Sequence, residues 1–123
     1  NTLADRQHRA VAGASLGGSA AYRLAFQQAD TFASAGMFGS GLVNGDEERV
    51  IDWLKGVSGA NKTRAFFNSG AQDPLMVERA QAMAEILDRA GVSYELIVDA
   101  GDHSYAYWGT HLGEYFRWAA QDW

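Results

Sequence analysis

The chain has 123 residues, of which 47% are hydrophobic and 20% charged, and its net charge is −5. This length suits one domain of ordinary globular composition, and the acidic balance argues against a nucleic-acid partner, whose phosphates require clustered Lys and Arg. No apolar run reaches about eighteen residues, so neither a membrane span nor a membrane partner is expected. The absence of cysteine excludes disulfides, zinc–thiolate sites and cysteine nucleophiles.

The first half of the sequence predicts two strand-and-helix units. Residues 9–14 (RAVAGA) have the small, apolar character of a buried strand, and residues 17–28 carry apolar side chains at helical spacing. Residues 32–38 predict a second strand, and a loop rich in glycine and serine covers 39–45. A short helix with acidic residues in its first turn is predicted over 46–56.

The second half predicts two further units. Residues 63–68 form a third strand candidate, and the Asp-Pro pair at 73–74 begins a helix that ends before Gly91. Residues 92–98 predict the fourth strand, and the apolar spacing within 112–123 predicts a terminal helix.

This alternation of strands and helices predicts the fold class. We expect a single α/β domain over residues 1–123, with a parallel sheet of about four strands and helices on both faces. In such sheets ligands bind at the carboxyl ends of the strands. Candidate site residues should therefore follow strands directly.

One motif carries chemistry at such a position. The segment 13–17, Gly-Ala-Ser-Leu-Gly, fits G-x-S-x-G, the nucleophile elbow, in which a sharp turn from strand to helix projects the serine hydroxyl. Ser15 is therefore the candidate nucleophile, and the backbone N–H of Leu16 is the candidate oxyanion donor. We expect side chains at Gly13 and Gly17 to collide with neighbouring backbone. The alternative is that Ser15 merely caps a helix after a glycine turn.

Two further residues follow strands in the order that an α/β-hydrolase requires, with the acid after the serine and the histidine last. Asp73 follows the third strand and is the candidate acid, while His103 follows the fourth and is the candidate base. Asp73 could instead serve only as a helix cap, and His103 could be an ordinary loop residue. Asp99 and Asp102 are rival acids, but both lie too close to His103 in sequence to follow a separate strand.

The remaining candidates are weaker. Tyr105, Tyr107 and Trp108 could line an acyl or aryl pocket beside the candidate base, or could simply pack the start of the last helix. His8 and His111 are expected at the surface, and the histidines lack metal-ligand spacing with acids, so no metal is expected. The glycine-rich segment around the serine lacks both the G-x-G-x-x-G spacing and the Lys-Ser/Thr ending of nucleotide-binding loops, so no nucleotide cofactor is expected.

Three segments together resemble a known family: GASLGGSAAYRLAFQQADTFASAGMFGSG, FFNSGAQDPL and VDAGDHSYAYW. They are similar to the esterase group of the α/β-hydrolase superfamily that includes esterase D, feruloyl esterases, enterochelin esterases and mycolyltransferases. The resemblance implies a triad of Ser15, Asp73 and His103, with Trp108 as the tryptophan of a Gly-x-His-x-x-x-x-Trp pattern. It also implies hydrolysis of carboxylic esters through an acyl-serine, without cofactor or metal.

The resemblance covers only the second, C-terminal half of the family domain. The missing strands include the loop that supplies a second oxyanion-hole donor, and their absence leaves an open sheet edge. We expect either the missing half or self-association into a homo-oligomer to cover that edge. Three functional hypotheses follow: hydrolysis of small-molecule esters with short-chain or aromatic acyl groups, acyl transfer by the same chemistry, and a catalytically silent fragment of a longer esterase.

Overall fold

The computed structural model describes residues 2–123, in which strands and α-helices alternate strictly along the chain. Two short 3₁₀ turns lie outside this alternation, at Arg6–His8 and Gly59–Asn61. The elements are, in order, β1 (Ala10–Ala14), α1 (Leu16–Gln27), β2 (Ser34–Phe38), α2 (Glu47–Lys55), β3 (Arg64–Gly70), α3 (Pro74–Ala90), β4 (Tyr94–Asp99) and α4 (Tyr105–Ala119).

The four strands form one sheet in which every neighbouring pair is parallel and the spatial order β1-β2-β3-β4 follows the order of the chain. The predicted α/β fold with a four-stranded parallel sheet is therefore confirmed. Because all strands point the same way, the residues that follow β1, β3 and β4 lie at the same end of the sheet, next to the carboxyl ends of the strands.

Alternate side chains of the central strands divide the core into two layers. Met37 and Phe67 pack with α1, α2 and α3 on one face, where Phe26 and Leu87 are also fully buried. On the other face, the core cluster contains Phe38 and Phe66 together with aromatic residues of α4. Helices therefore cover both faces of the sheet, as predicted. Strands buried on both faces are mostly apolar along their length, and the central strands have this character.

The terminal helix is longer than the apolar spacing within 112–123 predicted, and its first two turns carry the aromatic residues for which packing at the start of the last helix was one alternative. The helix begins at Tyr105, and the hydroxyl of Ser104 accepts a hydrogen bond from the backbone N–H of Tyr107 at its start. The glycine at 109 weakens the helical pattern there. Burial of Tyr107 and Trp108 in the α4 layer offsets this low propensity.

Strand β1 lies at the edge of the sheet, with β2 as its neighbour on one side. Ala10 and Ala12 are exposed on this strand, whereas every residue of β2 is buried. No helix in the part of the chain that the structure describes is long and apolar enough to cross a membrane.

Candidate active site

Ser15 stands at the junction of β1 and α1 in a strained backbone conformation. Its φ of 53° and ψ of −122° make it the one non-glycine residue with positive φ among residues 2–123. Its N–H donates to the carbonyl of Phe38 over 2.8 Å, and its own carbonyl accepts from the N–H groups of Gly18 and Ser19. Such strain persists only where surrounding contacts impose it, and these hydrogen bonds do so.

The glycines around Ser15 have unequal roles. A Cβ on Gly13 would overlap the carbonyl group of Gly17, so this position requires glycine. A Cβ on Gly17 would meet nothing within 4 Å, so the expectation of a collision there is wrong. The second tight position is instead Gly18, whose Cβ would lie 2.5 Å from the Cβ of Ser40. The glycine after the motif therefore allows α1 to pack against the loop that follows β2.

Three side chains from three strand ends form a hydrogen-bonded chain. The Oγ of Ser15 lies 2.9 Å from Nε2 of His103, and the Nδ1 of His103 lies 2.5 Å from Oδ2 of Asp73. A carboxylate accepts hydrogen bonds, so Nδ1 carries the proton of the neutral ring and Nε2 is left to accept from the serine hydroxyl. Since the Asp73 side chain is only 14% exposed, its charge interacts with the ring in partial shelter from water.

Two of these residues could have served only as helix caps, but neither makes the hydrogen bond that a cap requires. Ser15 and Asp73 precede α1 and α3 at the N-cap position, yet neither side chain makes a capping hydrogen bond. Both side chains are directed to His103 instead. Their placement at helix starts follows from the strand-turn-helix connections, and the N–H of Leu16 belongs to the first residue of α1.

The N-terminus of α1 offers one candidate oxyanion donor. The first N–H groups of an α-helix have no partner within the helix, and those of Gly18 and Ser19 are taken by the carbonyl of Ser15. Leu16 follows Ser15 directly, and its N–H stands at the end of the helix where the dipole favours negative charge. Within residues 2–123, no group of three or more His, Asp or Glu side chains is arranged to hold a metal ion.

The three aromatic residues after His103 occupy different environments. Trp108 packs edge-on against the His103 ring, with centroids 4.8 Å apart, and also contacts the Tyr105 ring. Tyr105 is 83% exposed, whereas Trp108 is almost fully buried. Tyr105 and Trp108 line a shallow crevice of about 240 Å³ between β1 and α4, whose other walls are Ala12, Gly13, Ala14, Phe38, Gly109 and Leu112.

Tyr107 lies in the core and does not line this crevice. Its hydroxyl accepts a hydrogen bond from Nδ2 of Asn68 over 2.9 Å and donates one to the carboxylate of Asp99. Burial, together with the bond to Asp99, raises the pKa of the Tyr107 phenol to about 12. The residue links the ends of β3 and β4 beneath the loop that carries His103.

The sequence did not indicate the polar cluster around Asp99. His111, expected at the surface, has a side chain only 13% exposed, and it pairs with Asp99 and Glu114 at 3.2 Å each. The spacing of His111 and Glu114 on one helix face was a detectable signal, because residues three apart on a helix are neighbours. The contact between His111 and Asp99 depends on how α4 packs against the sheet, so no local sequence pattern could have predicted it.

Comparisons with known proteins bear on the family and the fold of the chain. A family model described as "Putative esterase" matches residues 1–119. Compared with curated protein sequences, the chain gives no match.

Among solved structures, the chain is similar to a ferulic acid esterase (20% identity, TM-score 0.76, covering 96% of this chain and 52% of that chain). It is also similar to an S-formylglutathione hydrolase from Staphylococcus aureus (23%, TM-score 0.75, 95% and 53%). A third similar structure is a capsule O-acetyltransferase of Neisseria meningitidis serogroup A (12%, TM-score 0.74, 98% and 59%). The chain thus spans between 52% and 59% of the length of these three structures.

Proposed function

The chain belongs to this esterase family, and on that premise we propose that it is a serine hydrolase that cleaves carboxylic esters through an acyl-serine intermediate. The observation that carries the proposal is the continuous hydrogen-bonded chain from the Oγ of Ser15 through His103 to Asp73. A serine hydroxyl becomes a strong nucleophile only when a base removes its proton, and this arrangement supplies the base and a carboxylate that orients it.

The reaction follows from these positions in two halves. In the first, Ser15 Oγ attacks the ester carbonyl while its proton passes to Nε2 of His103, and the resulting oxyanion is stabilised by the N–H of Leu16. When the tetrahedral intermediate collapses, the alkoxide takes the proton from Nε2 and leaves as the alcohol. In the second half, water attacks the acyl-serine and gives its proton to Nε2. The acid departs, and the proton returns to Ser15 Oγ. Asp73 stabilises the imidazolium in both halves.

The substrate class that we propose is a small-molecule ester with a short-chain or aromatic acyl group. The crevice beside the motif is shallow and apolar, and the exposed ring of Tyr105 and the edge of Trp108 suit contact with a planar group. Tyr107, engaged by Asn68 and Asp99, is not among the residues we propose for binding. No cofactor enters this chemistry.

The direct test is reaction of Ser15 with a fluorophosphonate probe, together with hydrolysis of p-nitrophenyl acetate. We expect one label per chain at Ser15, and we expect Ser15→Ala to remove both labelling and turnover. Ser58→Ala is the matched control, because Ser58 is an exposed serine that precedes β3 and so lies away from the carboxyl ends of the strands. Absence of labelling in folded protein, both alone and with the preceding half of the family domain added, would refute the proposal.

Two other functions can be distinguished with the same protein and the same ester substrate. Acyl transfer to an acceptor other than water would give a new ester when alcohols are added, which product analysis detects. A catalytically silent fragment would fold without reacting. Because the chain spans only about half of the similar structures, addition of the preceding half of the family domain is the complementary arm. Reaction that appears only then would assign the missing oxyanion donor to that half.

A further inference from the structure

The loops that carry Asp73 and His103 are joined to each other immediately before these two residues. The N–H of Ala71 donates to the carbonyl of Asp99 over 2.7 Å, and the N–H of Gln72 donates to the carbonyl of Gly101 over 2.9 Å. A third bond runs in the opposite direction, from the N–H of Gly101 to Oε1 of Gln72 over 2.5 Å. The contact begins where the pairing of β3 with β4 ends, and it continues the ladder into the loops.

Only the third of these bonds depends on the identity of a side chain. Any residue at 71 or 72 other than proline would supply the two backbone donors. The acceptor for the N–H of Gly101 is the side-chain carbonyl of Gln72. Gln72 therefore engages both the N–H and the carbonyl of Gly101, and it does so one residue before Asp73 and two residues before His103.

The surroundings of Gly101 explain why one hydrogen bond can control its position. A Cβ on Gly70 would overlap the carbonyl of Gly101, and a Cβ on Gly101 would overlap the ring of Tyr107. Gly101 is thus packed between β3 and α4, with no side chain of its own to fix it in place. The hydrogen bond that the Gly101 N–H donates to Oε1 of Gln72 restrains the remaining freedom of this peptide.

We propose that Gln72 is a positioning residue, which sets the distance between Asp73 and His103 by holding the backbone of Gly101. The proposal rests on the proposed function, because the position of His103 matters only if its ring serves Ser15. Gln72 contacts no reacting atom. Its influence passes through Gly101 to the loop that ends in His103, and the 2.5 Å bond between Nδ1 and Asp73 is sensitive to small displacements of that loop.

Three variants of the full chain test this role. Gln72→Met keeps the length of the side chain but removes the acceptor, whereas Gln72→Glu keeps an oxygen at the same place. Gln81→Met is the matched control, because Gln81 is an exposed glutamine on the outer face of α3. The readouts are solvent exchange of the Gly101 amide and the low-field NMR signal of the His103 Nδ1 proton. A third readout is the saturation kinetics of fluorophosphonate labelling at Ser15.

In Gln72→Met we expect exchange at Gly101 to rise about tenfold, because its N–H loses its acceptor. The low-field proton signal should broaden or move, and the maximal labelling rate should fall by about tenfold with little change in the half-saturating probe concentration. Gln72→Glu should restore all three readouts, and Gln81→Met should leave them at the parent values.

The proposal is overturned if Gln72→Met leaves Gly101 exchange and the His103 signal unchanged, or if Gln72→Glu behaves like Gln72→Met. It is also overturned if the labelling rate stays at the parent value while exchange at Gly101 rises. A parent chain that does not react at Ser15 either alone or with the preceding half of the family domain added would refute the proposed function. In that case the exchange rate and the Nδ1 signal still decide whether Gln72 holds the two loops together.

Discussion

The Oγ of Ser15 and the Nε2 of His103 lie 2.9 Å apart although 88 positions separate the two residues in the chain. The contact depends on the placement of β1 and β4 at opposite sides of the sheet and on the reach of the loop after β4 across the ends of β2 and β3. Asp73, from the loop after β3, supports the ring midway. Each residue of the hydrogen-bonded chain can therefore be tested separately.

The backbone strain at Ser15 predicts that glycine is better tolerated there than alanine. A residue held in a sparsely populated region of φ and ψ costs on the order of 1–3 kcal/mol, and glycine avoids most of that cost. Allowing for the greater freedom of glycine in the unfolded chain, we expect Ser15→Gly to be about 1 kcal/mol more stable than Ser15→Ala. Urea unfolding measures the difference. Equal stability of the two variants would mean that the elbow relaxes.

The two motif glycines should respond in opposite ways to alanine. Gly13→Ala forces a Cβ into the backbone of Gly17, and we expect it to cost about 3 kcal/mol or more of the free energy of unfolding. Gly17→Ala adds a methyl group in open space within α1, so helix propensity alone should stabilise the protein by up to about 1 kcal/mol. Thermal unfolding of the two variants side by side checks this, and similar losses would contradict it.

Asp73 should be essential for reactivity but not for stability. The Asp73 side chain makes no capping hydrogen bond and asparagine has nearly the same shape, so Asp73→Asn should change the free energy of unfolding very little. It cannot stabilise the imidazolium and favours the wrong tautomer of His103, so labelling of Ser15 should slow on the order of 10³–10⁴-fold. Asp102→Asn is the control, since Asp102 is the rival acid beside His103 and its carboxylate accepts from the Ser104 hydroxyl. If Asp102→Asn slowed the labelling of Ser15 more than Asp73→Asn does, Asp102 rather than Asp73 would be the acid.

Tyr105 and Tyr107, both in the first turn of α4, should differ in what their hydroxyl groups contribute to stability. Replacing each tyrosine with phenylalanine removes the hydroxyl alone. Tyr107→Phe leaves the buried side chain of Asn68 without its hydrogen-bond acceptor, and we expect a loss of about 1–3 kcal/mol. Tyr105 is 83% exposed, so Tyr105→Phe should stay within about 0.5 kcal/mol of the parent. Chemical denaturation separates the two, and a stable Tyr107→Phe would show that water replaces the hydroxyl.

A buried carboxylate at the start of α2 predicts a pH-dependent contribution to stability. Asp46 accepts hydrogen bonds from Arg23 at 2.6 Å and from the Tyr22 hydroxyl at 2.5 Å. The bond from Arg23 is the main cause that lowers the pKa of Asp46 below its ordinary value of 3.8, with a further contribution from Tyr22. A lowered pKa in the folded state means that this stabilisation is complete above pH 3.8 and is lost as the pH falls through the folded value.

Asp46→Asn should therefore lower the free energy of unfolding by about 1–3 kcal/mol at pH 7. The difference in this free energy between the variant and the parent should become smaller as the pH falls below about 4. Asp52→Asn removes only an exposed pair with Lys55 and should change stability by less than about 1 kcal/mol. Urea titrations at several pH values supply the measurement. A gap of constant size from pH 7 to pH 3 would contradict the role of the Asp46 charge.

The sequence was informative where a structural feature has a local cause. Buried strands and the helix between Pro74 and Gly91 follow from apolar spacing and from end signals, and Gly91 does adopt the left-handed conformation expected past a helix end, with φ of 66°. The placement of Ser15 at a turn followed from the G-x-S-x-G pattern together with its position between a predicted strand and a predicted helix. These features arise within about twenty residues of chain, so local patterns record them.

The sequence was less informative where the cause is a distant contact. Whether an aromatic residue near His103 lines a crevice or enters the core depends on its partners across the sheet. Tyr107 packs in the core with Phe66, and Asn68, 39 positions earlier, donates a hydrogen bond to its buried hydroxyl. His111 is sheltered because the docking of α4 places it beside Asp99. The collision that requires Gly18 likewise comes from Ser40 in another loop.

The agreement between strand order and chain order has a consequence for biosynthesis. The chain emerges from its N-terminus, so each strand can join the growing sheet at the side of the preceding strand without threading past a later one. Ser15 is made first, but the loop with His103 follows the last strand and is held by it. Under the proposed function, the serine therefore gains its base only after the final strand has been added, and we expect a chain truncated before β4 to leave the Ser15 hydroxyl unreactive.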